Sequence, residues 1–435
     1  MLDKDKLLYD LFQAYYDTRQ HKRNTMSAMN FEMNYESKIF ELYNDLINNT
    51  YTISPSICFI IKDPVQREVF AADFRDRIIH HLIYNYIYEN FDNSFIYDSY
   101  SCRLEKGTHF GIKRVEHFIR SCTQNYSRDW YILKLDIKWF FMHIDKQILF
   151  DQIKSKLFSF VLSWSMKGKD VATKESEDLK NINYNFLLPL IHQVIFHNST
   201  SNCIIKWSKS DWNWLPDDKS LFHSWKNIGL AIGNLTSQLF ANIYLDDMDK
   251  YIKYDLWFHH YGRYVDDFVI VDTDKQKLLS SIPKIKNYLS EKLHLTLHPK
   301  KIYFQHYTKW VQFLWAYIKP YRTYISKRTI GKFWERIQDI NISLTSSSFG
   351  KGGGPRSGGG FKATIQSIVN SYLWILNHYK SHKIKKKLIK NFNNNFQSYF
   401  HFINSNKKLV PNIKKLKSSE IKKLYPQWYY NGNLR

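Results

Sequence analysis

The chain has 435 residues, with 63 Lys and Arg against 40 Asp and Glu, giving a formal net charge of +23. That excess suits a polyanionic partner, and 44% hydrophobic with 17% aromatic residues supplies cores for two or three domains and excludes a disordered basic tail. Charge interrupts every apolar run short of the roughly 20 residues of a spanning helix, and the N-terminus, Met1-Leu-Asp-Lys-Asp-Lys, lacks a signal-peptide pattern. A cytoplasmic protein with no membrane partner is expected. Cys58, Cys102, Cys122 and Cys203 lie far apart with no C-x-x-C spacing, so they read as reduced, mostly buried thiols.

Residues 73–91 place Phe74, Ile78, His81, Leu82 and Tyr86 on one broad face and predict a helix. Residues 131–136 and 263–271 are short β-branched and aromatic runs that predict strands. Between them, Asp246, Asp247 and Asp249 follow a helical run (Leu239, Ile243, Leu245) and read as a solvated helix face. Residues 346–360 are rich in Gly and Ser and predict a flexible tether. Beyond it, Ile365, Ile368, Tyr372 and Ile375 recur at helical spacing, predicting a small basic helical bundle. From Lys380 to Lys423 lysines cluster, Lys385, Lys386 and Lys387 among them, and Glu420 is the only acid, which favours nucleic-acid phosphate contact over a merely solvated face.

The sharpest chemical signal is Gly262-Arg-Tyr-Val-Asp-Asp-Phe-Val-Ile-Val271, where two adjacent acids interrupt an apolar strand. Neighbouring desolvated carboxylates repel and protonate unless a cation joins them, so Asp266 and Asp267 point to a divalent metal. Magnesium, with its preference for oxygen ligands and substrate phosphates, fits best. Asp136 ends a second apolar strand and supplies a third carboxylate. Asp136 and Asp266 then suit two ions about 3.5–4 Å apart.

These segments resemble the reverse transcriptases in order. Tyr264-Val-Asp-Asp267 looks like their motif C and Leu133-Lys-Leu-Asp136-Ile-Lys-Trp-Phe-Phe141 like motif A. Ile232-Gly-Asn-Leu-Thr-Ser-Gln238 looks like motif B, and its Ile-Gly start and Ser-Gln end are similar to the enzymes of diversity-generating retroelements. Segments 67–81 and 98–109 resemble the fingers motifs, 295–301 motif D, 311–315 motif E and 370–379 the thumb.

The resemblance implies an α+β right-hand polymerase: N-terminal helices and fingers over 1–128, an antiparallel palm over 129–325 with a helical excursion at 150–228, a connector over 326–360 and a helical thumb over 361–435. Its activity would be copying a template-repeat RNA into cDNA with errors at adenine for mutagenic retrohoming, in a bacterium, archaeon or phage. Partners would be template RNA, the RNA/cDNA duplex, dNTPs and a small basic oligomeric accessory protein. Asp136, Asp266 and Asp267 would be catalytic, with Ile137 beside Asp136 in the set holding two Mg²⁺ ions. Arg103, Phe141, Gln238 and Lys300 or Lys301 would meet the dNTP, Phe141 as the gate against a ribose 2′-hydroxyl. Ile232, Gly233 and Arg77 would line the template side and set fidelity. The alternatives are a retron, defence or group II-like reverse transcriptase, and a non-catalytic RNA-binding protein on the same scaffold.

Trp139, Trp214, Trp310, Trp315 and Trp374 stand where similar proteins usually have glycine. Five such exchanges suggest one cause, a lineage that reads UGA as glycine, with the codons rendered here as tryptophan. Ala231, where proline is frequent, is a milder departure.

Overall fold

The structure, a computed structural model, describes residues 3–20, 25–62, 65–166, 184–206, 208–345, 358–379, 381–405 and 407–412. It is a mixed helix and sheet protein that divides into two compact units, Met1–Gln305 and His306–Arg435. No helix among the described residues is long and apolar enough to cross a membrane.

The first unit opens with α1 (Lys4–Arg19), α2 (Met26–Glu32) and α3 (Tyr35–Ile47). Tyr15 of α1 stacks on Tyr35 at 4.9 Å. Strands β1 (Ser56–Ile61) and β2 (Arg67–Ala71) form an antiparallel hairpin. Helix α4 (Phe74–Ser94) follows, started by Asp73, whose carboxylate accepts from the Arg75 amide. Its apolar face, including Phe74, Ile78 and Leu82, is buried in the main core. Then come α5 (Thr108–Cys122), β3 (Tyr131–Asp136), the short α6 (Phe140–His143), α7 (Lys146–Met166) and α8 (Tyr184–Phe196).

The excursion after α8 includes β4 (Cys203–Ile205), which pairs in parallel with β1 and extends that hairpin to three strands. Helix α9 (Leu235–Lys250) is buried on nearly every side. It leads to β5 (Tyr261–Tyr264), β6 (Asp267–Asp272), α10 (Lys275–Leu293) and β7 (Tyr303–His306). Strands β5, β6, β3 and β7 form one sheet in that order, with β6 antiparallel to both β5 and β3. Leu133 and Leu135 on β3 and Phe268 and Ile270 on β6 are buried in the main core, which fixes which residues stand at the strand ends.

The second unit has its own core. Strands β8 (Val311–Phe313), β9 (Ala316–Lys319) and β10 (Arg322–Ile325) form an antiparallel meander. Helices α11 (Lys327–Thr345), α12 (Gly358–His378), α13 (His382–Ile389) and α14 (Asn394–Tyr399) follow. The module after residue 360 is not all helix, because β11 (Phe400–Ile403) and β12 (Lys408–Pro411) close it as a hairpin. Asn370 on α12 pins that hairpin: its amide donates to the Leu409 carbonyl at 3.0 Å and accepts from the Leu409 amide at 2.7 Å. Tether residues 346–357 and the lysines beyond residue 412 lie outside the described residues, while Gly358-Gly-Gly360 opens α12.

Candidate active site

Three carboxylates meet at one end of the four-stranded sheet. In the β3–β6 ladder Asp136 stands opposite Asp267 as a Cα pair, and the Ile137 amide donates to the Asp266 carbonyl at 3.0 Å. Asp266 lies in the turn between β5 and β6, after Val265 at φ +55°. A β-branched residue in the left-handed region is strained, and such strain persists only where its surroundings over-determine it.

The electrostatics are those of an unfinished ligand set. Burial, and then the nearby Asp136 charge, push the Asp266 carboxyl up to about 6. Burial also pushes Asp267 up to about 6, against the pull of Lys134, whose Nζ lies 3.0 Å from its Oδ2. Asp267 keeps 18% of its side chain exposed, so solvent tempers that penalty. Lys301 Nζ lies 2.8 Å from Asp136 Oδ2. Yet Oδ1 of Asp136 and Oδ1 of Asp267 are both buried without a hydrogen-bond partner. Orphaned carboxylate oxygens are costly in a folded interior, and a cation satisfies them.

Among the described residues, no three His, Cys, Asp or Glu side chains gather closely enough to cage an ion alone. Magnesium does not require that, since it commonly binds one or two carboxylates together with water and substrate phosphates. The residues present fit it.

Other expected residues are distributed as follows. Gln238 is exposed on α9 and Phe141 is partly buried against the core. The Ile232 carbonyl accepts from the Phe70 amide at 2.8 Å, joining the 232–238 stretch to β2. Gly233 sits at φ +128°, and an added Cβ would fall 2.9 Å from the Phe70 carbonyl oxygen, so only glycine fits there. Arg77 donates from Nε to the Ala72 carbonyl at 2.8 Å, just after β2. His80 is buried and bonded to Thr236 Oγ1 at 2.7 Å, whereas His81 is half-buried. Lys386 and Lys387 are exposed on α13 in the second unit, and Lys385 is partly covered, donating to Asn377 Oδ1.

Two expectations are corrected. Arg103 does not present a free fork: it is 6% exposed, and all five of its donors are directed at the chain itself. Nε and Nη2 bind Asp92, Nη2 also binds the Asp92 carbonyl, and Nη1 binds the carbonyls of Ile96 and Ser99. Arg67, exposed at the start of β2, lies near enough for its charge to favour the ionised form of Asp266. It opens the 67–81 segment that resembles a fingers motif, but the sequence gives no ground for choosing it over the arginines that follow it.

The second correction concerns Asp246 and Asp249, which are buried rather than solvated, at 0% and 1% exposure. Asp246 is held by Lys156 and Lys250, and Asp249 by Arg263 and Tyr261. The signal was present on the other side. An arginine inside an apolar strand, Arg263, demands a buried acid.

Trp139 occupies the left-handed region at φ +49°, and its Nε1 is buried without a partner. The other four suspect tryptophans have negative φ. Trp214 is 85% exposed, and Trp310 stacks on Tyr317 at 4.6 Å. Conformational need for glycine is thus confined to position 139.

No protein-family model matches the chain, and no curated protein matches it. Solved structures similar to it include apo telomerase from Candida tropicalis truncated from its C-terminal domain, at 14% identity and a TM-score of 0.45, over 66% of this chain and 59% of that one. Telomerase from Candida albicans in complex with a TWJ fragment of telomeric RNA shares 12% identity at a TM-score of 0.42, over 81% and 64%. Apo telomerase from Candida tropicalis shares 11% at 0.47, over 83% and 68%. The chain spans about three fifths of the length of the first two.

Proposed function

We propose that the protein is an RNA-directed DNA polymerase of right-hand architecture. The four-stranded sheet with its carboxylates serves as palm, the β1–β2–β4 sheet as fingers and the helices of the second unit as thumb. The observation behind this reading is the facing pair Asp136 and Asp267, each with an orphaned buried oxygen, beside Asp266 in a strained turn. Asp136 and Asp266, with Asp267 shaping the site, would hold the two magnesium ions. Bound there, magnesium would offset the charge of the triphosphate and lower the cost of forming the attacking alkoxide.

The chain's own residues set the rest. Lys301, tied to Asp136, is placed to donate a proton or a charge to leaving pyrophosphate, whereas Lys300 has no such contact. Arg67 supplies the planar donor fork for the triphosphate. Phe141 closes the sugar side against a 2′-hydroxyl. The exposed lysines of α13 would contact duplex phosphates.

The finer reading is a diversity-generating enzyme that copies a template-repeat RNA with errors at adenine, aided by a basic accessory protein. Its support is the Ile232-Gly233 to Gln238 stretch, which hangs on β2 through the Ile232 carbonyl. Primer extension by the purified protein with Mg²⁺, dNTPs and an RNA template of all four bases, followed by cDNA sequencing, tests both levels. Extension with errors concentrated at adenine is the expected result. Accurate extension would keep the polymerase and remove the diversity-generating reading; no extension together with retained RNA binding would favour the non-catalytic alternative.

A further inference from the structure

The residues around the catalytic turn account for every donor of one buried guanidinium. Arg263 on β5 is 1% exposed. Its Nε donates to Asp249 Oδ1 and one Nη2 hydrogen to Asp249 Oδ2, both at 2.7 Å. The other Nη2 hydrogen points to Ser99 Oγ at 3.5 Å. Nη1 donates to the Val265 carbonyl at 3.0 Å and to Asn242 Oδ1 at 3.4 Å. Asp249 is completed by the Tyr261 hydroxyl at 2.5 Å. Arginine can fill this arrangement because its five donors lie in one rigid plane; lysine, with a single ammonium, cannot.

We propose that Arg263, anchored by Asp249 on α9, is a positioning residue that grips the Val265 carbonyl and so holds the left-handed turn that presents Asp266 and Asp267. The peptide gripped is the one that links Val265 to Asp266, so its orientation directly sets where the Asp266 side chain leaves the backbone. Valine at φ +55° would relax toward an extended conformation if the carbonyl were released. A relaxed turn would also loosen the bond from the Ile137 amide to the Asp266 carbonyl, and with it the register that sets Asp136 against its partners. The ion pair is therefore more than filling for the core. It ties helix α9 to the catalytic turn, and its significance for catalysis rests on the polymerase reading above.

The test compares Arg263→Lys, Val265→Gly and the double variant in the full chain. Glycine adopts positive φ without the steric penalty of a β-branched residue, so it removes the need for a clamp. Arg263→Lys is expected to lower kcat in primer extension at least tenfold with the dNTP KM within threefold. Amide exchange in the peptide covering residues 261–270 should accelerate at least tenfold. The double variant is expected to recover most of both. Should Arg263→Lys fail to fold, Arg263→Met with Asp249→Leu removes both buried charges and is compared with and without Val265→Gly. Unchanged kcat and exchange in Arg263→Lys would overturn the clamp, and so would losses in a folded variant that glycine does not restore. Amide exchange needs no template or activity. A wild-type chain that extends no primer, with exchange at the turn still controlled by Arg263, would sink the polymerase reading and leave the clamp standing.

Discussion

Asp136 and Asp267 face each other across two antiparallel strands, and each leaves one carboxylate oxygen buried and unbonded. The sheet thus holds charge in a position that destabilises the free protein, an arrangement expected where a cation and phosphates complete the site.

Replacing Asp266 by Asn should abolish extension, by at least about a thousandfold, while raising thermal stability at pH 7.5 without magnesium. The folded carboxyl is pushed up to about 6 from its ordinary 3.8, so the native state binds the extra proton. Stability from this group is then lost as pH rises through 6 and regained as pH falls toward 4, by about 1–3 kcal/mol. Extension runs the opposite way, falling at acid pH because protonation removes the ligand, and with a midpoint below 6 because bound magnesium competes with the proton. Thermal melts and rates from pH 5 to 8 check both signs; a stability that fell in Asp266→Asn at pH 7.5 would contradict the burial argument.

Lys301 and Lys300 are adjacent but differ in contact, since only Lys301 meets Asp136, at 2.8 Å. Lys301→Ala is expected to reduce kcat by about a hundred- to ten-thousandfold, the range of a lost general acid. Lys300→Ala should stay within threefold. Single-turnover extension at saturating dNTP separates the two.

Arg67→Ala should raise the dNTP KM with little change in melting temperature, because the side chain is exposed and its charge acts on Asp266. Arg103→Ala should do the reverse: it strands the Asp92 carboxylate and three backbone carbonyls, and is expected to cost about 3 kcal/mol of stability. Paired denaturation and steady-state kinetics read the difference.

Trp139→Gly should raise both stability and activity, by about 1 kcal/mol for the relief of positive φ alone. Trp214→Gly, at a position 85% exposed, should be close to neutral. Reading the five codons complements the measurement: UGA at Trp139, Trp214, Trp310, Trp315 and Trp374 would establish glycine as the natural residue, and UGG at most of them would end that account.

Ile232→Gln should lower errors opposite adenine, because the amide would give the nascent pair a hydrogen-bonding check that isoleucine cannot supply. Its backbone carbonyl bond to Phe70 is independent of side chain, so the local fold should persist. Sequencing of cDNA from the two enzymes on one template is the comparison, and an unchanged error spectrum would remove isoleucine as the cause.

Much of the site was legible because its chemistry is local. Acidic residues ending apolar strands at Asp136 and Asp266-Asp267 contradict burial so sharply that they stand out from composition and period alone. Gly233, expected on the template side, sits at φ +128° against the Phe70 carbonyl, a constraint that the sequence did not show. What the sequence left open depends on partners distant along the chain. Arg103 looks outward-facing until the Asp92 carboxylate and three backbone carbonyls are seen to enclose it, and Asp249 looks solvated until Arg263, 14 positions away, closes on it. The β4 strand and the β11–β12 hairpin were also invisible, being three and four residues long and defined by pairing. Residue identity by itself determined that carboxylates stand at the ends of buried apolar strands, where their charge is costly. Only the tertiary structure decided that Lys134 and Lys301 pair with them, because that choice belongs to packing between segments rather than to any one of them.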